Sequence, residues 1–395
     1  MIPRLKAALG VEEFLATLKS GKNDLLGFEQ TFANLAGQKF AVAFPYGRTA
    51  LMAILRSLDL KNQEVICPSY TCIVVPHAIV YSDNIPVFVD SSQEGMNMDL
   101  DLLSDAITDS TGAIVATSLF GDPVDLDLLQ LRSSGLPVIQ DCAHSFFAEF
   151  EGRSVAHEGV CAYYGLNVSK VMTSIFGGMV TTDDAIFVER LRAQREHLLI
   201  KPSWTKSIQR LAYLAAIYPA FSRFGYGFVN ALERAGGLAR FSKYYDETSI
   251  DMPSDYRIQM TALEARVGVV QCGKYLKIIE HRRRIAQVYY DLLSEVATFK
   301  LPPKTVGATY SHYVIRTSLA SGVIRHCLRS GYQLGEIIEY DIPSLPSYRD
   351  QRRVGKGYSQ LLPGNVINLP VHMGVSVEDA TIISTIIKRF VGTTN

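Results

Sequence analysis

No excess of charge marks this sequence. Lys+Arg and Asp+Glu stand at 39 each and the pI is near 7.1, so no general electrostatic pull toward nucleic acid or an anionic membrane is expected. Cysteine is sparse and unpatterned. Cys67, Cys72, Cys142, Cys161, Cys272 and Cys327 form no CxxC pair or zinc-like cluster. No metal is therefore expected, and a reduced, cytoplasmic protein is the simplest reading. The N-terminal MIPRLKAALGVEEFLATLKSGKN lacks the unbroken apolar core of a signal peptide, because Glu12, Glu13 and Lys19 interrupt it. Long apolar runs are missing too. LAYLAAIYPAFS, at 211–222, carries no charge but contains Pro219 and falls short of a membrane span. Packing within the protein is the expected role of 211–232, with a partner or membrane-surface contact as the alternative. Neither a Walker A sequence nor GxGxxG is present.

What is there is a chain of 395 residues, 48% hydrophobic and 20% charged. That composition is far from disorder and can fill one large domain and a smaller one. Short β-rich runs recur through the first half: EVICP at 64–68, IPVFVD at 85–90, AIVATSLFG at 113–121, LPVIQD at 136–141, GVCAYYGL at 159–166 and GGMVTT at 177–182. Several lack polar alternation, as strands covered on both faces do. Helical segments such as DLDLLQLRSS intervene, which points to a layered α/β domain with a mostly parallel sheet. From Ala262 a long helical stretch begins. SHYVIRTSL then reads as a strand, and VIRHCLRSGY and EDATIISTIIKRF as helices. The expected division is a large domain over 1–250, including the N-terminal segment and the helical 201–250 region, and a smaller α+β domain over 251–395.

Three segments carry possible chemistry. In CAYYGLNVSKVMTSIFGGMV, Lys170 sits among small and apolar residues between two strand-like runs. Desolvation there would lower its pKa and free a neutral amine to act as a nucleophile. Taken alone, Lys170 reads more readily as a snorkelling loop residue than as a functional amine. In VIQDCAHS, Asp141 ends a strand, either as a cap or loop carboxylate or as the counter-charge for a protonated ring nitrogen. His144 follows three residues later. In FPYGRTALMAIL, Gly47 stands at a strand-to-helix turn. The helix-start amides suit a phosphate, with Arg48 and Thr49 adding a charge and a hydroxyl.

At these segments the chain resembles the DegT/DnrJ/EryC1/StrS family, fold type I pyridoxal-phosphate enzymes that are chiefly nucleotide-sugar aminotransferases. AIVATSLFGDPVDLD resembles its Gly-x-Pro-x-Asp segment, and VIQDCAH its Asp-x-Ala-Gln/His motif. LNVSKVMTSIFGGMVTT resembles its cofactor-lysine motif, and INLPVHMGVSVEDATII its closing Leu-Pro-hydrophobic-His stretch. The resemblance runs in order over nearly the whole chain. It implies an aspartate-aminotransferase-like fold, pyridoxal 5'-phosphate as cofactor, Lys170 as the cofactor lysine and Asp141 as the ring-nitrogen partner. His144 would then lie near the phenolic oxygen, with Asn167 at a further matching position.

The chain also departs from the family pattern. Tyr46-Gly47-Arg48 stands for Ser-Gly-Thr before the phosphate-binding helix, Gly165 for a serine, and Cys72 for the aromatic residue that stacks on the cofactor. Arg257 is the expected cation for a phosphate in a neighbouring subunit. The resemblance implies a homodimer with shared active sites that transfers an amino group, with glutamate as donor, to a nucleotide-linked keto-sugar. Amino-sugar, polysaccharide or lipopolysaccharide biosynthesis is the expected setting. Arg195, Arg257 and Lys201 are candidate cations for the nucleotide. The alternatives are an amino-cyclitol or deoxy-sugar enzyme using the same cofactor, and a non-catalytic homologue.

Overall fold

The computed structural model describes residues 1–19, 21, 23–221, 225–227 and 248–393. Helices α1 (Val11–Thr17) and α2 (Asp24–Ala36) lead into strand β1 (Phe40–Phe44), helix α3 (Gly47–Ser57), β2 (Glu64–Pro68), α4 (Val74–Tyr81) and β3 (Ile85–Val89). The short α5 (Leu103–Ala106) precedes β4 (Thr111–Thr117), α6 (Leu126–Arg132) and β5 (Val138–Asp141). A hairpin of β6 (Glu149–Phe150) and β7 (Arg153–Ser154) leads to β8 (Cys161–Gly165) and β9 (Gly178–Thr182). Then come α7 (Ala185–Leu198), α8 (Trp204–Ala220), the long α9 (Ala262–Leu293), β10 (Tyr313–Arg316), α10 (Ala320–Arg329), β11 (Arg353–Val354), β12 (Val366–Leu369) and α11 (Val377–Gly392).

The main sheet has the order β1-β9-β8-β5-β4-β2-β3-β11, and β9 alone runs against its neighbours. Its central strands are buried on both faces, which is why their sequences do not alternate with polar residues. Ala113, Val115 and Ile139 feed one core, and Ile114, Ala116 and Val138 feed the other. The six strand-like runs read from the first half all appear as strands of this sheet. The long helix begins at Ala262, where Thr261 and Glu264 form a capping box.

The two halves of the chain are stitched in both directions. β11 joins the main sheet beside β3, and Asp90, at the end of β3, accepts from the amides of Tyr358 and Ser359 at 2.8 Å each. In the opposite sense Ile2 enters the core formed by α9, β10, β12 and α11, and His372 meets the Pro3 carbonyl at 2.9 Å. These contacts give physical jobs to two of the sequence motifs. The acid closing IPVFVD holds a loop of the second half, and the histidine of LPVHM holds the N-terminus.

Helix α8 is arranged inside out. Lys206 and Arg210 point inward, while Trp204 and Ile208 are exposed at 74% and 55%. Arg210 pairs with Asp255 at 2.6 Å and Glu264 at 2.8 Å, so its charge is met at the start of α9. Leu214 and Ile217 pack inward as well, giving the described part of the 211–232 stretch an internal role. Residues 222–224 and 228–232 of that stretch lie outside the described residues. Among the described residues no helix is long and apolar enough to cross a membrane.

One close approach fixes how α9 crosses α2. A Cβ built on Gly268 would fall 2.3 Å from the Phe28 ring, which is fully buried. Gly268→Ala is expected to cost about 1–3 kcal/mol through overpacking, measured as a lowered urea midpoint. An unchanged midpoint would show that this contact does not set the helix spacing.

Candidate active site

Thr117, Asp141 and Tyr163 lie in register near the carboxyl ends of three adjacent parallel strands, the edge where open α/β sheets receive ligands. Asp141 is buried there. Its Oδ1 accepts from the Ala143 amide at 3.0 Å and its Oδ2 from the Thr117 hydroxyl at 3.2 Å. Burial pushes the carboxyl above its usual range, although the Ala143 amide and Lys170 oppose the shift. The Tyr163 hydroxyl also lies close enough to favour the anion, but it is buried without a hydrogen bond of ordinary geometry. An ionised Asp141 is thus under-compensated and would gain from a further cation or proton donor.

Lys170 rises from the loop between β8 and β9. That loop is closed by Leu166 N donating to Gly177 O at 2.9 Å and Ser174 N to Leu166 O at 3.0 Å. Asn167 shapes its turn: the Asn167 Oδ1 accepts from Ser169 N at 3.0 Å, and its carbonyl accepts from Lys170 N at 3.1 Å. Its side chain is therefore committed locally. The Lys170 side chain is half-buried, and among the described residues its amine makes no hydrogen bond or ion pair. Burial lowers its pKa, opposed by Cys72 and Asp141. A larger neutral fraction makes the amine a better nucleophile at neutral pH.

Glycines bring the start of α3 against this loop. A Cβ on Gly47 would meet the Gly165 Cα at 3.1 Å, and one on Gly178 would meet the Tyr46 carbonyl carbon at 2.5 Å. Gly165 has more room: a Cβ there would stand 3.4 Å from the Lys170 Cε. The first turn of α3 thus lies one backbone away from Lys170. No side chain caps it, so the amides of Gly47, Arg48 and Thr49 are open to an anion. The Thr49 hydroxyl itself donates to the Tyr256 carbonyl at 3.1 Å. Arg48 is half-buried, makes no hydrogen bond or ion pair among the described residues, and has its pKa lowered by burial. An incompletely hydrated guanidinium without a partner is an anion receptor. Cys72 lies within electrostatic reach of both Arg48 and Lys170.

His144 closes another wall. Its ring stacks on Phe120 with centroids 5.6 Å apart and planes at 17°. His312 approaches it to 5.0 Å. Both imidazoles are buried, which drives their pKa values well below the usual range, and Lys170 adds to both shifts. They are neutral hydrogen-bonding groups at neutral pH, and the His144 Nδ1 has no partner among the described residues. His312 comes from the second half of the chain. It is placed because Thr309 N donates to Gly121 O at 2.9 Å, and Gly121, at φ 91°, leaves no room for a side chain against Tyr310 N.

The remaining candidates lie elsewhere. Arg195 is tied to the buried Glu29, so it is not free to meet a nucleotide. Arg257 is exposed and donates from Nε to the Leu198 carbonyl at 3.1 Å. Lys201 is exposed beside it, across the Ile200–Ile258 bridge. Sequence reasoning missed His312, Phe120, Thr117 and Tyr163. The strand ends could have pointed to Thr117 and Tyr163, whereas His312 is brought in by tertiary contacts with no local signal. Among the described residues, no three His, Cys, Asp or Glu side chains are grouped to hold a metal.

The chain is 26% identical to a GDP-perosamine synthase of Escherichia coli O157:H7 over 381 residues, 94% of this chain and 92% of that one. The fold matches the aminotransferase TlmJ from Streptoalloteichus hindustanus with a TM-score of 0.78 at 19% identity, covering 100% of each chain. It also matches Helicobacter pylori PseC, an aminotransferase of pseudoaminic acid biosynthesis, with a TM-score of 0.77 at 17% identity and 99% of each chain covered. Residues 10–388 match the DegT/DnrJ/EryC1/StrS aminotransferase family. With that match spanning nearly all of its length, the chain belongs to this family of pyridoxal-phosphate-dependent aminotransferases.

Proposed function

We propose that this enzyme transfers an amino group from an amino-acid donor, glutamate by expectation, to the keto group of a nucleotide-linked sugar. The observation that carries the reading is a partly desolvated Lys170 amine, without a partner among the described residues, in the same site as the buried Asp141 carboxyl and beside an uncapped helix start. The similarity to a GDP-perosamine synthase over 94% of the chain supports a nucleotide-linked sugar as acceptor. Amino-sugar or lipopolysaccharide biosynthesis in the cytoplasm is the setting in which such an acceptor arises.

The residues fit pyridoxal phosphate. Its phosphate matches the amides of Gly47, Arg48 and Thr49 with the Arg48 charge, and its ring nitrogen matches Asp141. The cofactor supplies an aldehyde and a ring that withdraws electrons when protonated. Asp141 would keep a proton on the ring nitrogen, and would in return receive the counter-charge it lacks. Lys170 would anchor the cofactor, and its Nζ, when free, would move the proton at the donor α-carbon as a general base and acid. His144, held neutral by burial, would line the site without adding a competing charge. We further propose a homodimer in which the exposed Arg257 serves the site of a second copy.

Incubation with glutamate, pyridoxal phosphate and a panel of nucleotide-linked keto-sugars tests the reading. An aminated product of matching mass is expected. Nitrogen transfer to an amino-cyclitol ketone alone, or to no acceptor from any donor, would contradict it. The glycine contacts generate a second expectation. Gly178→Ala should displace the Tyr46–Gly47 peptide and weaken cofactor retention by roughly tenfold or more, whereas Gly165→Ala should change it little. Titration of the apoprotein with cofactor measures both. Equal affinities would show that the approach of α3 does not build the phosphate site.

A further inference from the structure

Helix α8 does more than pack. Its Arg210 guanidinium has four partners. Nε donates to the Glu264 carboxylate at 2.8 Å, and Nη2 donates to the Asp255 carboxylate at 2.6 Å and to the Tyr46 hydroxyl at 3.1 Å. The guanidinium carbon also lies 4.2 Å from the centroid of the Phe176 ring. Glu264 stands at the start of α9, Tyr46 immediately before α3, and Phe176 in the Lys170 loop. Lys206, one turn earlier on α8, donates to the Ile258 carbonyl at 2.8 Å and stands 3.5 Å from Asp255. The two cations meet two carboxylates, so these four groups bring no net charge to the start of α3.

Two links carry this cluster to the first turn of α3. The Tyr46 hydroxyl donates to Asp255 at 2.5 Å, and the Thr49 hydroxyl donates to the Tyr256 carbonyl at 3.1 Å. Adjacent residues of one segment thus hold positions 46 and 49. Burial pushes the Tyr46 hydroxyl well above its usual range, so it remains a donor. Burial opposes the Asp255 charge as well, but Tyr46, Arg210 and Lys206 outweigh it and hold the carboxyl below its usual range. An outside hold matters here because Tyr46 gives α3 no side-chain cap. The orphan amides of an uncapped turn are fixed only by what packs around them. Amides that are to receive one anion together must converge to within about 0.5 Å.

We propose that Arg210 is a positioning residue for the cofactor phosphate. Through Asp255 and Tyr46 it fixes the first turn of α3, where the amides of Gly47, Arg48 and Thr49 are open to the anion. Tyr46, which stands in the family's serine position, is the handle by which α8 holds that turn. The role rests on the proposed phosphate site there. A lysine cannot replace Arg210, because one ammonium group lacks the fork that meets Glu264, Asp255 and Tyr46 together.

Absorbance titration of the apoprotein with pyridoxal phosphate and, separately, with pyridoxal tests the role. Pyridoxal has the same ring and aldehyde but no phosphate. Arg210→Lys and Tyr46→Phe should each weaken pyridoxal phosphate roughly tenfold and leave pyridoxal unchanged. The double variant should bind no more weakly than the weaker single variant, because both changes act along one chain of contacts. Tyr46→Phe removes a single oxygen, so it keeps the test open even where Arg210→Lys does not fold. Unchanged affinity of Tyr46→Phe for pyridoxal phosphate, a parallel loss of both ligands, or additive losses in the double variant would overturn the role. Equal affinity of the unaltered protein for the two ligands would instead overturn the phosphate site itself, so the two failures are separable.

Discussion

A carboxylate held out of water at the end of a buried strand needs compensation, and Asp141 receives only part of it from the protein. One backbone amide and one hydroxyl reach it, and the Tyr163 hydroxyl stays close without bonding. The Lys170 amine opposes the burial from a distance. The incomplete satisfaction suits the proposed role, because a protonated ring nitrogen placed there would supply the missing charge. The same dry edge of the sheet that burdens Asp141 also lowers the pKa of Lys170 and keeps His144 and His312 neutral. One feature, burial at the carboxyl edge of a parallel sheet, thus shifts Asp141 upward and Lys170, His144 and His312 downward.

Much of this was legible in the sequence because it is local. The strands announced themselves as apolar runs, and Asp141 followed one of them directly. Lys170 alone was ambiguous. Its meaning came from its order and spacing relative to Asp141 and the Gly177-Gly178 pair, and the structure supplies a reason for that spacing. Gly178 permits the Tyr46–Gly47 turn to lie against β9, and Gly47 permits α3 to lie against Gly165. The glycines and the helix start are two sides of one contact. The unusual Tyr46 also has a place, since its hydroxyl donates to Asp255 within the Arg210 cluster.

What stayed hidden depends on residues far apart in the chain. His312 reaches His144 only because the 309–312 segment docks on the turn at Phe120 and Gly121. Residue types misled as well. Thr49 and Asn167 have the right chemistry for a ligand, but their side chains serve the backbone, and Arg195 neutralises a buried glutamate. A polar residue in a matching position can be claimed by local structure before any ligand arrives. Arg48 shows the converse, an unfamiliar residue at the helix start whose charge has no partner among the described residues.

The account stands on Lys170 as the point where the cofactor is attached. Borohydride reduction of the purified, cofactor-loaded protein, followed by peptide mass mapping, tests it directly. The predicted result is a cofactor adduct on Lys170, with loss of the absorbance near 410–430 nm, an approximate range for such attached cofactors. Lys170→Ala should abolish the adduct while leaving the protein folded. An adduct on any other lysine, or an unreduced band that persists in Lys170→Ala, would contradict the assignment.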